Sequence, residues 1–227
     1  MASYIFITGA SSGFGESTAR LFASKGYSLV LLARRKERLE ALVSELPSAI
    51  ETHILVADVR NEEQVHKAID GLPKKVKDGL SILVNNAGLA VGKGPIDSGL
   101  SDDWDRMVDT NIKGLLYVTR AVIPILKANG KGHIINIASI AGKEVYPGGN
   151  VYCATKHAVD ALSRAMRIDL VNYKIRVSNL APGAAETEFS IVRFKGDAEQ
   201  AKSVYDGYDP LVAQDIAETL WFICSRP

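Results

Sequence analysis

Short apolar runs alternate along this chain with longer stretches in which apolar positions recur at helical spacing. The apolar runs predict strands at 4–8, 28–33, 52–57, 81–85, 133–138 and 175–180. The stretches between them predict helices near 15–25, 36–46, 62–71, 102–128, 150–172 and 213–224. Runs such as Leu29-Val30-Leu31-Leu32 and Ile134-Ile135-Asn136-Ile137 are continuous, not alternating. That is the pattern of strands buried on both faces. Strands alternating with helices predict βαβ units, hence an α/β chain with a doubly wound parallel sheet and helices on both sides. The segment 183–212 has no such pattern and is too long for a routine connection. It reads as a lid or substrate loop.

Between the first predicted strand and helix lies Thr8-Gly9-Ala10-Ser11-Ser12-Gly13-Phe14-Gly15. A strand, a glycine-rich turn and a helix start together form a dinucleotide site. Glycines let the backbone turn tightly and approach a pyrophosphate. The helix N-terminus offers that anion free N–H groups and a partial positive charge. Gly9, Ser11, Ser12, Gly13, Phe14 and Gly15 are the expected cradle. An ordinary βα turn has similar glycines, so the choice between the two rests on residues further along the chain.

An NAD site would usually place an Asp or Glu about twenty residues on, to bind the ribose 2′-hydroxyl. Here the second strand runs into Arg34-Arg35-Lys36. A carboxylate would repel a 2′-phosphate, whereas a guanidinium pairs with it bidentately. Arg34 and Arg35 therefore point to NADP(H), with Ser11 or Ser12 as a hydroxyl donor. Asp58-Val59, after the third strand, can meet an adenine amine. In Asn85-Asn86-Ala87-Gly88 small residues let the backbone pass close to the cofactor, while the Asn amides satisfy chain ends. Asn85, Ala87 and Gly88 are the positions expected to bind it.

Tyr152 and Lys156 are four apart at the start of a predicted helix, which places them on one face. Ser139 ends the strand before it. Asn111 sits mid-helix, where an Asn is not a natural choice. Oxidising an alcohol sends a hydride to the nicotinamide and a proton to a base. A phenol with a pKa near 10 is a poor base at neutral pH, and a nearby ammonium lowers that value. Tyr152 is the expected base. Lys156 supplies the ammonium and binds the nicotinamide ribose. Ser139 holds the substrate oxygen, and Asn111 holds a water linking Lys156 to solvent.

The net charge of +1 and the absence of a basic patch argue against nucleic acid or a membrane surface as partner. Cys153 and Cys224 lie far apart, and His53, His66, His133 and His157 are scattered. No metal site or disulfide framework follows. No apolar run reaches the roughly 18 residues that span a bilayer. The first strand begins by Tyr4, which leaves no room for a signal peptide. A cytoplasmic enzyme with a small-molecule substrate is the expectation.

TGASSGFG (8–15), NNAG (85–88), Asn111, Ser139, YCATK (152–156) and Pro182-Gly183 together resemble the classical short-chain dehydrogenases/reductases. The resemblance spans essentially the whole chain. It implies a single Rossmann-type dinucleotide-binding catalytic domain over 1–227, with 183–212 as its lid. It also implies that Thr187 hydrogen-bonds the nicotinamide carboxamide. Ile140 and Pro182–Thr187, including Gly183, would line the nicotinamide pocket. Members are commonly homotetramers, or homodimers, built partly on the two long helices. The family's seventh strand and tail have no counterpart before Pro227, so six strands are expected.

The stretches 146–152 and 186–197 look like the NADP-dependent 3-hydroxy acid dehydrogenases, which oxidise serine, L-allo-threonine and related acids. A hydroxy acid needs a cation for its carboxylate. Arg193 and Lys195 are the available ones, and Arg193 is preferred. A broad-specificity NADPH-dependent carbonyl or keto reductase acting on neutral ketones is the alternative. A nucleotide-sensing regulator without chemistry would lack Tyr152 or Lys156, and both are present.

Overall fold

The computed structural model describes residues 3–207 and 209–226. The chain runs β1 (Tyr4–Thr8), α1 (Gly13–Ser24), β2 (Ser28–Ala33), α2 (Lys36–Ser44), β3 (Thr52–Val56), α3 (Glu62–Asp70), α4 (Lys74–Gly79) and β4 (Leu80–Asn85). It continues with α5 (Ser101–Val108), α6 (Leu115–Ala128), β5 (Gly132–Ile137), α7 (Asn150–Leu170) and β6 (Ile175–Leu180). The last part holds β7 (Ala185–Glu186), α8 (Glu188–Arg193), α9 (Ala198–Ser203), β8 (Leu211–Val212) and α10 (Ala213–Cys224). Six strands form one parallel sheet in the order β3-β2-β1-β4-β5-β6.

Strand alternation divides the core in two. Ile5 and Ile7 of β1, with Leu29 and Leu31 of β2, pack on Phe22 of α1, Leu39 of α2 and Leu220 of α10. Tyr4 and Phe6, with Val30 and Leu32, face the other way onto Val65 of α3, Val122 and Leu126 of α6 and Val159 of α7. Both faces of the sheet are thus covered, which is why its strands read as unbroken apolar runs. Phe22, Tyr27 and Trp221 meet edge-on, with centroids 5.4 to 6.1 Å apart, and fasten α10 to α1.

Three departures from the sequence reading concern this frame. The predicted 102–128 helix is α5 and α6 joined through a π-helical turn, Asp109–Gly114. The segment 183–212 is not irregular, since β7, α8, α9 and β8 occupy it. The short α4 was not foreseen; it buries only Val76. Among the described residues no helix is long and apolar enough to cross a membrane.

Asn85 also departs from expectation. At the end of β4 its side chain points into the packed layer below the sheet. Its Nδ2 donates to Thr119 Oγ1 of α6 (2.8 Å) and to Asn136 Oδ1 of β5 (2.9 Å). Asn136 Nδ2 in turn donates to Ser163 Oγ of α7 (2.9 Å), whose hydroxyl donates to Val159 O. This is a buried polar chain joining four elements, not a cofactor contact. Asn85→Ala would strand two buried acceptors and cost about 1–3 kcal/mol. In a chain of this size the melting temperature should fall by roughly 2–10 °C, and thermal unfolding measures it.

Candidate active site

The chain passes from β1 outward to β2 and β3, then returns to β4 and runs the other way through β5 and β6. A crevice opens where the order reverses, beyond the carboxyl ends of the strands. Here it is a cavity of about 610 Å³, lined by the turn after β1, the ends of β2 to β5, the start of α7 and the 182–194 segment.

At the first turn Gly9 and Gly13 take left-handed backbone conformations, with φ of +65° and +53°. A Cβ on Gly9 would also lie 2.9 Å from the Ala87 Cα. Gly15 does a different job from the one expected. It does not line the cavity; a Cβ there would sit 2.4 Å from Gly9 O and 2.6 Å from Asn86 Nδ2. It is the contact that lets α1 press against the turn. Asn86, not Asn85, faces the cavity, and its Nδ2 donates to Thr8 O (2.9 Å) and Gly9 O (3.2 Å). Ser12 precedes α1 without capping it. Its Oγ instead accepts from Arg35 Nη2 at 2.8 Å, while Arg35 Nε donates to Ser11 Oγ at 3.2 Å. The turn thus presents hydroxyls, a guanidinium and the start of α1 to one space, the donor set that a phosphate-bearing nucleotide needs.

Arg34 and Arg35 both line this end. Asp58 and Val59 lie beside them, with the Asp58 carboxylate held by Arg60 (Nη2 to Oδ2, 2.6 Å). Burial alone would raise the Asp58 pKa. The Arg60 hydrogen bonds and the charges of Arg60 and Arg34 reverse that and hold it below its ordinary value. Glu188, at the start of α8, reaches across to Arg35 Nη1 (3.1 Å) and Arg38 Nη1 (2.5 Å). Those bonds, chiefly the one from Arg38, hold Glu188 below the usual carboxylate range against its burial.

At the other end Ser139, Tyr152 and Lys156 meet on one wall with Ala87, Gly88, Pro182, Gly183 and Thr187. The extended backbone of Ser139 starts a 3₁₀ turn, and its Oγ accepts from Ala141 N at 3.1 Å. Tyr152 and Lys156 lie on the inner face of α7, with Lys156 Nζ 5.9 Å from the Tyr152 ring centre. Lys156 Nζ donates to Ile137 O at 2.8 Å. Burial pulls the Lys156 pKa down to about 8. Burial also pushes Tyr152 up to about 12, while the Ser139 hydrogen bond and the Arg193 charge draw it back. Thr187 caps α8 by accepting from Phe189 N, and its side chain sits against Gly13, where a Cβ would stand 3.5 Å from Thr187 Cβ.

Asn111 lies in the π-helical turn, buried behind this wall and off the cavity. Its Oδ1 accepts from Leu89 N, and its Nδ2 donates to Leu89 O and Thr155 Oγ1. The extra residue of a π turn swings one side chain out of helical register. Here it aims Asn111 at the strand end carrying Gly88. A Cβ on Gly88 would lie 3.3 Å from Asn111 Oδ1 and 3.4 Å from Lys156 Nζ, so the two polar atoms flank one glycine.

Arg193 lines the cavity at the end beside Tyr152. Its guanidinium carbon lies 5.7 Å from the Tyr152 ring centre and 5.2 Å from that of Tyr146. Its Nε and Nη2 are buried without a hydrogen-bond partner among the described residues. Lys195 does not share the cavity; its Nζ pairs with Asp103 Oδ2 at 2.8 Å.

The expectation that the asparagine amides satisfy chain ends holds at Asn86, but the sequence assigns no place at the cavity to Asn86, Arg38, Glu188 or Tyr146. Strand parity would have found Asn86, since Leu83 and Asn85 share the α6 face and leave the next residue to the cavity. Arg38 is one helical turn beyond Arg35, a spacing visible in the sequence. Nothing local marked Glu188, because its partners are about 150 residues away.

The short chain dehydrogenase family model matches residues 3–197. Sulfoacetaldehyde reductase 2 of Chromohalobacter salexigens is 44% identical over 100% of this chain and 90% of its own length. The NADP-dependent 3-hydroxy acid dehydrogenase YdfG of Salmonella typhi is 45% identical over 98% of this chain and 89% of its own. Among solved structures, the closed form of a serine dehydrogenase complexed with NADP+ superposes with a TM-score of 0.94 at 42% identity. That match covers 99% of this chain and 90% of the other. With a family model over most of its length and relatives of this likeness over nearly all of it, the chain belongs to the short-chain dehydrogenase family.

Proposed function

We propose that this protein transfers a hydride between NADP(H) and the 3-hydroxyl or 3-keto carbon of a small 3-hydroxy acid. The observation that carries the reading is Arg193, a buried guanidinium with two unpartnered donor nitrogens on the wall that holds Tyr152. The guanidinium leans on Tyr146, which accepts a hydrogen bond from it, but two further buried donors left unpaired are costly unless a ligand anion completes them. Arg193 supplies a planar fork for a carboxylate, about one side-chain width from the phenol that would handle the proton. The same fork suits a sulfonate, and the likeness to a sulfoacetaldehyde reductase makes a short oxo-sulfonate the second reading.

The cofactor reading rests on Ser11 and Ser12 before α1 and on Arg35 before α2, whose guanidinium reaches both hydroxyls; together they suit a 2′-phosphate. Arg34, Asp58 and Val59 would flank the adenosine, and Ala87, Gly88, Gly183 and Thr187 the nicotinamide end. Bound NADP+ supplies the hydride acceptor. In oxidation Tyr152 Oη accepts the substrate hydroxyl proton, and in reduction it returns it. Ser139 Oγ holds the same substrate oxygen. The Ser139 hydrogen bond and the Arg193 charge are what act against the burial that raises the Tyr152 pKa, and a protonated Lys156 on the same helix face would add to them. Asn111 spends both amide donors on Leu89 O and Thr155 Oγ1, so on this reading it would hold the water that relays the proton outward only through the lone pair of Oδ1 that Leu89 N leaves free.

We take the 227 residues as one catalytic unit with 183–212 as its lid. Exposed Leu116 on α6 and Ile168 on α7 favour a homodimer or homotetramer built on those helices. Two free cysteines, Cys153 and Cys224, favour a reducing, cytoplasmic setting.

Two substitutions test the reading. Arg193→Ala should raise the KM for 3-hydroxypropionate or serine by about 100-fold, the loss expected of a buried charged hydrogen bond. Turnover of a neutral ketone should change far less, since Arg193 touches that reaction only through its charge on the Tyr152 phenol. Adding sulfoacetaldehyde to the assay separates the carboxylate and sulfonate readings. Converting Arg34 and Arg35 to Ala should raise the NADPH KM at least ten times more than the NADH KM. Equal increases for both cofactors would remove these arginines from the phosphate site.

A further inference from the structure

Arg193 ends α8, and the chain leaves that helix through an unusual residue. Gly196 N donates to Ile191 O (2.9 Å) and Lys195 N to Val192 O (3.2 Å), the paired bonds of a Schellman cap. The cap requires a left-handed residue at its first outside position, where glycine is the usual choice. Lys195 occupies it, with φ of +55°. A side chain at such a position needs a reason. Here the reason is on a neighbouring helix: Lys195 Nζ lies 2.8 Å from Oδ2 of Asp103, in the first turn of α5, and Asp103 is buried to 7% exposure. The same carboxylate backs onto Gly92, where a Cβ would stand 3.1 Å from Oδ2. Gly92 N, in turn, donates to Arg193 O at 2.8 Å. Asp103, Lys195, Arg193 and Gly92 form a closed circuit that fixes the end of α8 at two points.

We propose that Asp103, acting through Lys195, is the positioning residue that holds the Arg193 guanidinium at the substrate end of the cavity. The proposal rests on the reading of Arg193 as the anion-binding group. Asp103 touches neither cofactor nor substrate. Its charge reaches the site only through the backbone of the α8 cap. Lys195, offered by the sequence as a second carboxylate ligand, is committed to this tether.

The test uses the full-length enzyme and three variants. Lys195→Gly keeps the left-handed cap and removes only the ion pair. Asp103→Asn keeps the shape of the other partner. The double variant combines them. Each should raise the KM for 3-hydroxypropionate about five- to twentyfold, with kcat and the NADPH KM within about twofold. Turnover of a neutral ketone should not change. The double variant should be no worse than either single one, since each breaks the same link. Lys195→Gly should keep or raise the melting temperature, which separates lost positioning from lost folding. An unchanged acid KM in both single variants, beside a raised one in Arg193→Ala, overturns the tether and leaves the reading of Arg193 intact. Equal losses on acid and neutral substrates also overturn it. An unchanged acid KM in Arg193→Ala overturns the reading of that arginine and the tether's role with it.

Discussion

A single side-chain amide splices the two strands between which the crevice opens. Asn86 Nδ2 donates to the carbonyls of Thr8 and Gly9 at the end of β1. Thr8 Oγ1 answers by accepting from the backbone N–H groups of Asn86 and Ala87, each at 3.0 Å. At a switch point the two strands feed helices on opposite faces, so their ends tend to splay. Four hydrogen bonds close that gap and satisfy backbone groups that the sheet no longer pairs. The glycine turn is set by this knot, since Gly15 can pack on Gly9 O only where Asn86 holds it. The turn, the helix start and the Arg35 cluster all take their positions from there.

The frame was legible because its physics is local. Strands covered on both faces must be mostly apolar, and β1 and β2 say so almost residue by residue, while β5 breaks its apolar run only at His133 and Asn136, both hydrogen-bonded. Tyr152 and Lys156 were legible for a similar reason, as helical spacing alone puts them on one wall. What stayed hidden depends on contacts across the fold. The sequence shows two adjacent asparagines but not which one turns outward, and that choice was read wrongly. Glu188 and Asp103 look like ordinary surface acids until the cleft folds over them. Helices α8 and α9 were hidden because six-residue helices carry too little periodicity to stand out from a loop. Asn111 was singled out for a poor helix propensity, and the π-helical turn is the physical reason that a poor propensity is tolerated there.

The electrostatics divide the cavity into two chemically different ends. At one, Arg34, Arg35, Arg38 and Arg60 share two carboxylates, so cations outnumber anions and salt screens them strongly. At the other, Tyr152 and Lys156 are buried and shifted away from their charged forms. Charge is cheap at the first end and dear at the second. A dianionic phosphate is matched to the open end, whereas the reacting end holds only the charges its chemistry uses.

Helix α8 joins these two ends. Its first residue, Glu188, is bonded to Arg35 and Arg38, and its last, Arg193, faces Tyr152. Six residues at 1.5 Å each make a bar of roughly 9 Å, turning about 100° per residue. The bar works as a ruler. Lengthening it by one residue would keep its composition yet rotate the two end groups out of alignment by about a quarter turn. On the proposed reading of Arg193, the length of this small helix bears on selectivity beside the identity of its side chains, because it fixes the angle between Glu188 and Arg193.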